Sequence, residues 1–318
     1  YEMGDIQYYD AIPAYRAHLL ESVNADAIRE AGLRLLIDYD YSEASSVLPA
    51  VLSDLGVTTI PLNAGLHEGP HHRAVPMETA LISRTVNADL GCMLGPTGER
   101  LALIDETGTV LTSQEMFGVI ASWFLPENPG IVLAPAATPD WIAQLVRDSG
   151  GTFSATAADA PAVIRASATP GTCLAADGAG GFAWPRYLAA FDAMYTVVKL
   201  LELRALKGVT LRDARESLPN TVYLTATEFC PWEAKGRVMR VLLDGHREHA
   251  VDLVDGIKVF VDDGFVLVRP DPDEPSYHIV ASVRDEAEGR ELVNRYAQLV
   301  REAQAATNGR RELVEASV

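Results

Sequence analysis

Several stretches of this chain carry side chains whose types and spacing can do chemistry. In ADLGCMLGPTGERLALIDE (88–106), Gly95, Thr97 and Glu99 lie in a loop ahead of Arg100. One carboxylate and one hydroxyl cannot cage a hard divalent cation that demands near-octahedral oxygen ligands. In AADGAGG (175–181), Asp177 can accept a hydrogen bond from a ligand hydroxyl or simply solvate a glycine-rich turn. In RPDPDEP (269–275), Arg269 is followed by Asp271 and Asp273, and Pro272 between them has no backbone N–H to donate. Two like charges about 4 Å apart cost on the order of 4 kcal/mol at an effective dielectric of ~20, more than the roughly 1.5–3 kcal/mol that a hydrogen bond to a charged group returns. The loop is therefore expected to repel phosphate. His67, His71 and His72 have a zinc-like spacing but sit in a Pro/Gly-containing polar loop, and a surface loop is the simpler reading. GAGGFA (178–183) lacks the downstream acidic residue of a dinucleotide site.

The elements that must position these residues alternate. From Asp10 to about Gly32 the chain has a capping Asp, an early Pro and apolar residues at helical spacing, and RLLIDYD follows as a buried strand. Helix and strand then repeat through SEASSVLPAVLSDLG, TTIPLN, VPMETALISRTVN and ADLGCML, with strands too apolar for a one-sided sheet. ERLALIDETGTVL reads as a hairpin around Thr107-Gly108, after which the same grammar restarts and runs to a long helix from about Tyr187 to Lys207. Thr210 with Asp213 reads as a capping box. After about residue 222, alternating apolar stretches joined by Asp263-Gly264, then SYHIVASV and a helix from Asp285 to about Ala306, predict a small antiparallel sheet backed by helices. The expected fold is α/β: two doubly wound α/β/α domains (1–110 and 111–220) and a smaller α+β domain (221–318).

Composition narrows the function classes. A net charge of −18 would repel a phosphate backbone, so nucleic acid and anionic membrane surfaces are not expected partners. No apolar run has the length to cross a bilayer, and the opening YEMGDIQYYD has no signal-peptide pattern, so a cytoplasmic location is expected. Cys92, Cys173 and Cys230, odd in number and far apart, read as reduced buried thiols. Because Tyr1 begins at a domain edge without Met, the chain is expected to be part of a longer polypeptide.

Residues 88–106 resemble the metal-loop strand of the phosphohexomutases (phosphomannomutase, phosphoglucomutase), which carries ADLG, an apolar stretch, Asp-Gly-Asp-x-Asp-Arg and an apolar strand ending in Asp-Glu. YLAAFDAMYTVVKLLEL, DGIKVFVDDGFVLVRP and the closing helix are similar to later parts of the family, so the resemblance covers roughly residues 1–305 and implies its second, third and fourth domains. CPWEAKGRVMR (230–240) is similar to the branch fused behind a mannose-1-phosphate guanylyltransferase-like nucleotidyltransferase; read locally, it is a helix start with Trp232 half-buried and Lys235 and Arg237 in solvent.

The resemblance also implies what is gone. The three Mg²⁺-binding carboxylates fall on Gly95, Thr97 and Glu99, while Arg100 matches. The sugar loop Gly-Gly-Glu-x-Ser-Gly-His puts Asp177, Ala179 and Gly181 at its Glu, Ser and His, and the phosphate loop Arg-Pro-Ser-Gly-Thr-Glu-Pro keeps Arg269 and Glu274. No Thr-x-Ser-His-Asn-Pro-like segment, which carries the phosphoryl group in the family, occurs in these 318 residues. Phosphoryl transfer is mostly positioning and charge stabilisation, so a catalytically silent module is expected, with no catalytic residue, no metal and no cofactor. Arg100, Asp177, Arg269 and Glu274 would be vestigial substrate contacts. The expected role is to scaffold or regulate a guanylyltransferase in GDP-mannose-type metabolism, as part of the same polypeptide or as a homo-oligomer. The alternative is part of an active mutase whose serine-bearing domain lies elsewhere. LLIDYDYS (35–42) also imitates the haloacid-dehalogenase signature, with Asp38 and Asp40 as its acids, but the downstream pair Asp262-Asp263 lies in a hairpin, against that family's context.

Overall fold

A computed structural model describes residues 9–65, 76–247, 250–262 and 264–315. His67, His71 and His72, and Asp263 of the expected hairpin, lie outside the described residues. The first unit runs α1 (Ile12–Glu21), α2 (Ala25–Ala31), β1 (Arg34–Asp38), α3 (Leu48–Asp54), β2 (Thr58–Leu62), α4 (Pro76–Thr85), β3 (Leu90–Leu94) and β4 (Leu101–Ile104). Its opening run is two helices rather than one, because the Asn24 side chain accepts the Ala27 N–H and starts α2 afresh. The sheet order is β2-β1-β3-β4, parallel except for β4. Leu35, Leu36 and Ile37 are all fully buried, as a strand covered on both faces requires. Pro61 sits in the edge strand β2, where a missing N–H does least harm.

The second unit runs α5 (Ser113–Phe124), β5 (Ile131–Pro135), α6 (Asp140–Asp148), β6 (Thr152–Thr156), α7 (Ala160–Ser167), β7 (Thr172–Ala176), β8 (Phe182–Trp184), β9 (Leu188–Phe191), α8 (Ala193–Lys207) and α9 (Leu211–Glu216). Its sheet order is β6-β5-β7-β8-β9, with the last two strands antiparallel. The expected helix from Tyr187 is shorter at its start: residues 188–191 form β9, and α8 begins only where Asp192 accepts the Tyr195 N–H. The expected hairpin at 101–111 is likewise reduced, its second arm being a single bridge between Ile104 and Val110.

The third unit runs β10 (Val222–Phe229), α10 (Trp232–Gly245), β11 (Val251–Asp252), β12 (Ile257–Val261), β13 (Gly264–Pro270), β14 (Ser276–Val283) and α11 (Glu286–Glu315), in an antiparallel sheet of order β10-β14-β13-β12-β11. Gly256 enters β12 at φ 100°, and a Cβ there would lie 2.4 Å from the Val268 carbonyl oxygen, so no larger residue fits this close approach. One apolar core runs without a break from Leu19 to Ala214 through both α/β units, while the third unit has its own, including Val266, Ile279 and Val300. Cys92, Cys173 and Cys230 are buried and unpaired, and burial pushes the Cys92 thiol well above its ordinary value. Among the described residues, no helix is long and apolar enough to cross a membrane.

Candidate functional site

Strand β3 ends at Leu94 and the chain turns back through Gly95–Arg100 into β4. The turn closes on itself, with the Gly95 N–H donating to the Arg100 carbonyl at 2.8 Å and the Gly98 N–H to the Gly95 carbonyl at 2.9 Å. The Ala193 N–H, at the start of α8, donates to the Gly98 carbonyl at 2.9 Å. Glu99 is exposed and accepts the Thr97 hydroxyl at 3.3 Å. This donor set does not fit Mg²⁺, which takes several oxygens in a fixed octahedron. Among the described residues, no cluster of three or more His, Cys, Asp or Glu side chains is placed to hold a metal.

The glycine-rich loop after β7 packs directly on that turn. Asp177 is buried, its Oδ1 accepting the N–H groups of Ala179 (2.7 Å) and Gly181 (2.8 Å) and its Oδ2 accepting Arg100 Nε at 2.5 Å. Both carboxylate oxygens are thus engaged by the chain itself. The Leu101 N–H donates to the Gly180 carbonyl at 3.1 Å, and Arg100 bridges Gly181. Gly180 has φ 95°, and a Cβ there would lie 2.3 Å from the Leu101 carbonyl oxygen. At Gly181 a Cβ would meet Asp177 Oδ2 at 2.6 Å, so a histidine cannot stand there while Asp177 keeps this conformation.

The third loop links β13 to β14. Asp271 does not point outward: its Oδ1 accepts the N–H groups of Asp273 and Glu274, both at 2.8 Å, and its Oδ2 lies 2.6 Å from His278 Nε2. The His278 contact and then the Asp273 N–H hold this carboxyl at about 2. Asp273 and Glu274 are exposed. Lys235 contradicts its expected place in solvent, since its ammonium donates to the carbonyls of Asp271 and Glu274 and sits 3.7 Å from the centroid of the Trp232 ring. Arg269 faces Asp255 at 3.8 Å. Burial pushes the Asp255 carboxyl up, opposed by Arg269 and by the Ala158 N–H that it accepts at 3.1 Å.

Two of these loops meet at a cavity of about 280 Å³ between the C-terminal ends of β5 and β7 and the facing sheet of the third unit. Asp177 and Gly178 line one side. Arg269, His278 and Thr227, cross-strand neighbours in register, line the other. Arg100 reaches this site only through Asp177, and Gly95, Thr97, Glu99 and Glu274 do not line the cavity. A larger cavity of about 650 Å³, walled by Trp141, Leu218 and Phe260, contains none of the loop residues. Sequence reasoning missed Asp255, His278 and the Lys235 brace. The signal for His278 was available in SYHIVASV, where it alternates with buried Tyr277 and Ile279 and so must face the opposite side of the sheet. Asp38, at the end of β1, is buried and accepts the Asp40 N–H, Asn63 Nδ2 and the Thr79 hydroxyl, a structural arrangement rather than a nucleophile's.

Residues 13–108 match the family described as phosphoglucomutase/phosphomannomutase, alpha/beta/alpha domain II. The chain is 26% identical over 312 residues to a phosphoglucomutase/phosphomannomutase of Thermococcus kodakarensis, covering 95% of this chain and 68% of that protein. It is 28% identical over 316 residues to a probable phosphoglucosamine mutase of Methanopyrus kandleri, covering 94% and 70%. The crystal structure of a phosphoglucomutase/phosphomannomutase family protein from Burkholderia thailandensis superposes with a TM-score of 0.82 at 19% identity, over 93% of this chain and 65% of that one. The chain thus spans about two thirds of the length of the proteins it matches.

Proposed function

We propose that this chain, a member of the phosphoglucomutase/phosphomannomutase superfamily, is a catalytically silent phosphohexomutase-like module of sugar-nucleotide metabolism. The observation that carries this reading is that the charged groups at and beside the cleft face partners within the chain. Arg100 holds Asp177, Arg269 faces Asp255, and the 271–274 backbone with His278 holds Asp271. A phosphosugar entering this cleft must break charge-assisted bonds, and such bonds are roughly twice as strong as neutral ones. The 318 residues also contain no phosphoserine segment, and among the described residues no group of three or more His, Cys, Asp or Glu side chains is placed to hold a metal. The role that remains is to scaffold or regulate a cytoplasmic partner, and the resemblance of residues 230–240 makes that partner a mannose-1-phosphate guanylyltransferase-like enzyme.

A coupled assay for interconversion of mannose or glucose 1- and 6-phosphates, primed with a bisphosphorylated sugar, tests the silent reading. No turnover is expected, and a rate above about 0.1 per second, within the range of ordinary enzymes, overturns it. The mutase names of the relatives favour a second reading, in which the chain is part of an active phosphomannomutase or phosphoglucomutase with its serine-bearing segment outside these residues. Under that reading the natural polypeptide turns over and Arg269→Ala abolishes it.

A further inference from the structure

We propose that the cavity of about 650 Å³ between α6 and the end of β12 is a binding site for a guanine base, and that a guanine nucleotide bound there holds the third unit against the second. None of its residues lines the cleft beside Asp177 and Arg269, so the site goes beyond the silent-module reading and does not depend on it.

One wall is a helix face. Trp141, Gln144, Leu145 and Asp148 follow one another at steps of three and four along α6, and all four line the cavity. Trp141 is lodged by a glycine: a Cβ at Gly118, in the interior of α5, would lie 2.5 Å from the indole Cη2, so a residue type that weakens a helix is what admits the ring. The indole Nε1 donates to Thr221 Oγ1 at 3.1 Å, which fixes the ring's orientation. Trp141, Leu218, Pro219 and Thr221 also line a neighbouring cavity of about 350 Å³, so the indole and the chain joining α9 to β10 form the partition between the two. An aromatic plate held as a partition offers a face on which a base can stack. Across the cavity stands Phe260 of β12, itself exposed.

Stacking accepts any base, and the polar groups select among them. Arg147 donates to Gln144 Oε1, and Gln144 Nε2 donates to Asp148 Oδ1 at 2.7 Å. Asp148 Oδ2, and Asp262 on the opposite wall, are acceptors without a partner among the described residues. Asp148 lies two turns from Trp141, about 10 Å along the helix, within reach of the edge of a purine stacked on the indole. Guanine presents two adjacent N–H donors on that edge, which a carboxylate accepts together, whereas adenine presents an unprotonated ring nitrogen that a carboxylate repels. Arg147 supplies the complementary donor for ring acceptors. Asp140 is answered by Lys258, and the remaining charges of the lining, Arg147 and Arg284 against Asp148 and Asp262, balance. Such a lining suits a base with donors and acceptors better than a bare anion or cation. Because α6 belongs to the second unit and Phe260 and Asp262 to the third, a base held by both walls bridges the junction.

The full chain titrated with guanosine 5′-monophosphate tests this, with adenosine 5′-monophosphate as the control that carries the same ribose and phosphate. Calorimetry measures affinity, and the indole N–H resonance of Trp141 reports the place of binding. The guanine nucleotide is expected to move that resonance saturably and to bind at least about tenfold more tightly than the adenine nucleotide, the equivalent of one charge-assisted hydrogen bond. An unmoved resonance overturns the proposal, and so does equal affinity for the two nucleotides. Trp141→Leu should weaken binding at least about fivefold through lost stacking. Should that variant fail to fold, Asp148→Ala, at an exposed position, should weaken it about tenfold. A folded variant that binds like the parent overturns the assignment. Hydrogen exchange of Val266–Val268 in β13 should slow at saturating guanosine 5′-monophosphate, and unchanged exchange there overturns the bridging role.

Discussion

Asp271 has exchanged water for two backbone N–H groups and an imidazole, and that exchange ties its ionisation to folding. Its carboxyl sits at about 2 in the folded chain against an ordinary value of 3.8, the His278 contact being the largest cause. A carboxyl lowered by folding stabilises the folded state above its unfolded pKa, and that contribution disappears as pH falls through the folded one. The stability difference between the parent and Asp271→Asn should therefore shrink as pH falls from about 4 to about 2. Urea unfolding at a series of pH values measures it; a difference that does not change over this window would mean the carboxylate is not bound. Arg100, Asp177 and Arg269 were legible as charged residues in loops, but their partners were not. Arg100 and Asp177 are 77 residues apart, and only the docking of one α/β unit on the next brings them together. Asp255 was hidden for the same reason, its Ala158 partner lying 97 residues away, while for His278 the strand alternation gives the face but not the cross-strand neighbours.

Elements were legible where the local pattern and the tertiary surroundings agree. β1 and β3 are apolar throughout and buried on both faces, so their composition alone specifies a covered parallel strand. β9 was lost because LAAF followed by a capping Asp192 reads as a continuous helix, and only pairing with β8 makes it a strand. β10 alternates over eight residues yet was passed over, its half-exposed face lacking the apolar run that marked the others. The 177–181 loop shows what close approach demands of an element. At Gly180 a Cβ would strike the Leu101 carbonyl oxygen at 2.3 Å, whereas at Gly208, also left-handed, nothing lies within 4 Å. Gly208→Ala should cost about 1–2 kcal/mol, the ordinary penalty for an L-residue in that conformation. Gly180→Ala should cost more, about 3 kcal/mol, and should also raise hydrogen exchange at the Leu101 amide as the loop lifts from β4. Equal destabilisation by the two substitutions would show that the contact between loop and strand is not tight.

Across the whole molecule, the two α/β units share one core while the third unit is held by a thinner junction. That junction is a small apolar cluster of Ala137 with Phe265, Leu267 and Val280, reinforced by Lys258. The Lys258 ammonium is buried, donates to Asp140 at 2.8 Å and stands 3.8 Å from the Phe265 ring centroid. Removing the lysine leaves no buried orphan charge, because Asp140 is 45% exposed and can hydrate. Lys258→Ala should accordingly lower the stability of the third unit by about 1–2 kcal/mol, the value of a partly desolvated cation–π contact with its ion pair. The local character of the change is the sharper expectation. Units that share a core open together, and units joined by a thin contact open separately. Hydrogen exchange of Val266–Val268 in β13 should therefore speed up in Lys258→Ala while that of Leu35–Ile37 in β1 stays as in the parent. Equal acceleration in both strands would show that the three units open as one, and that a perturbation at the third sheet reaches the first.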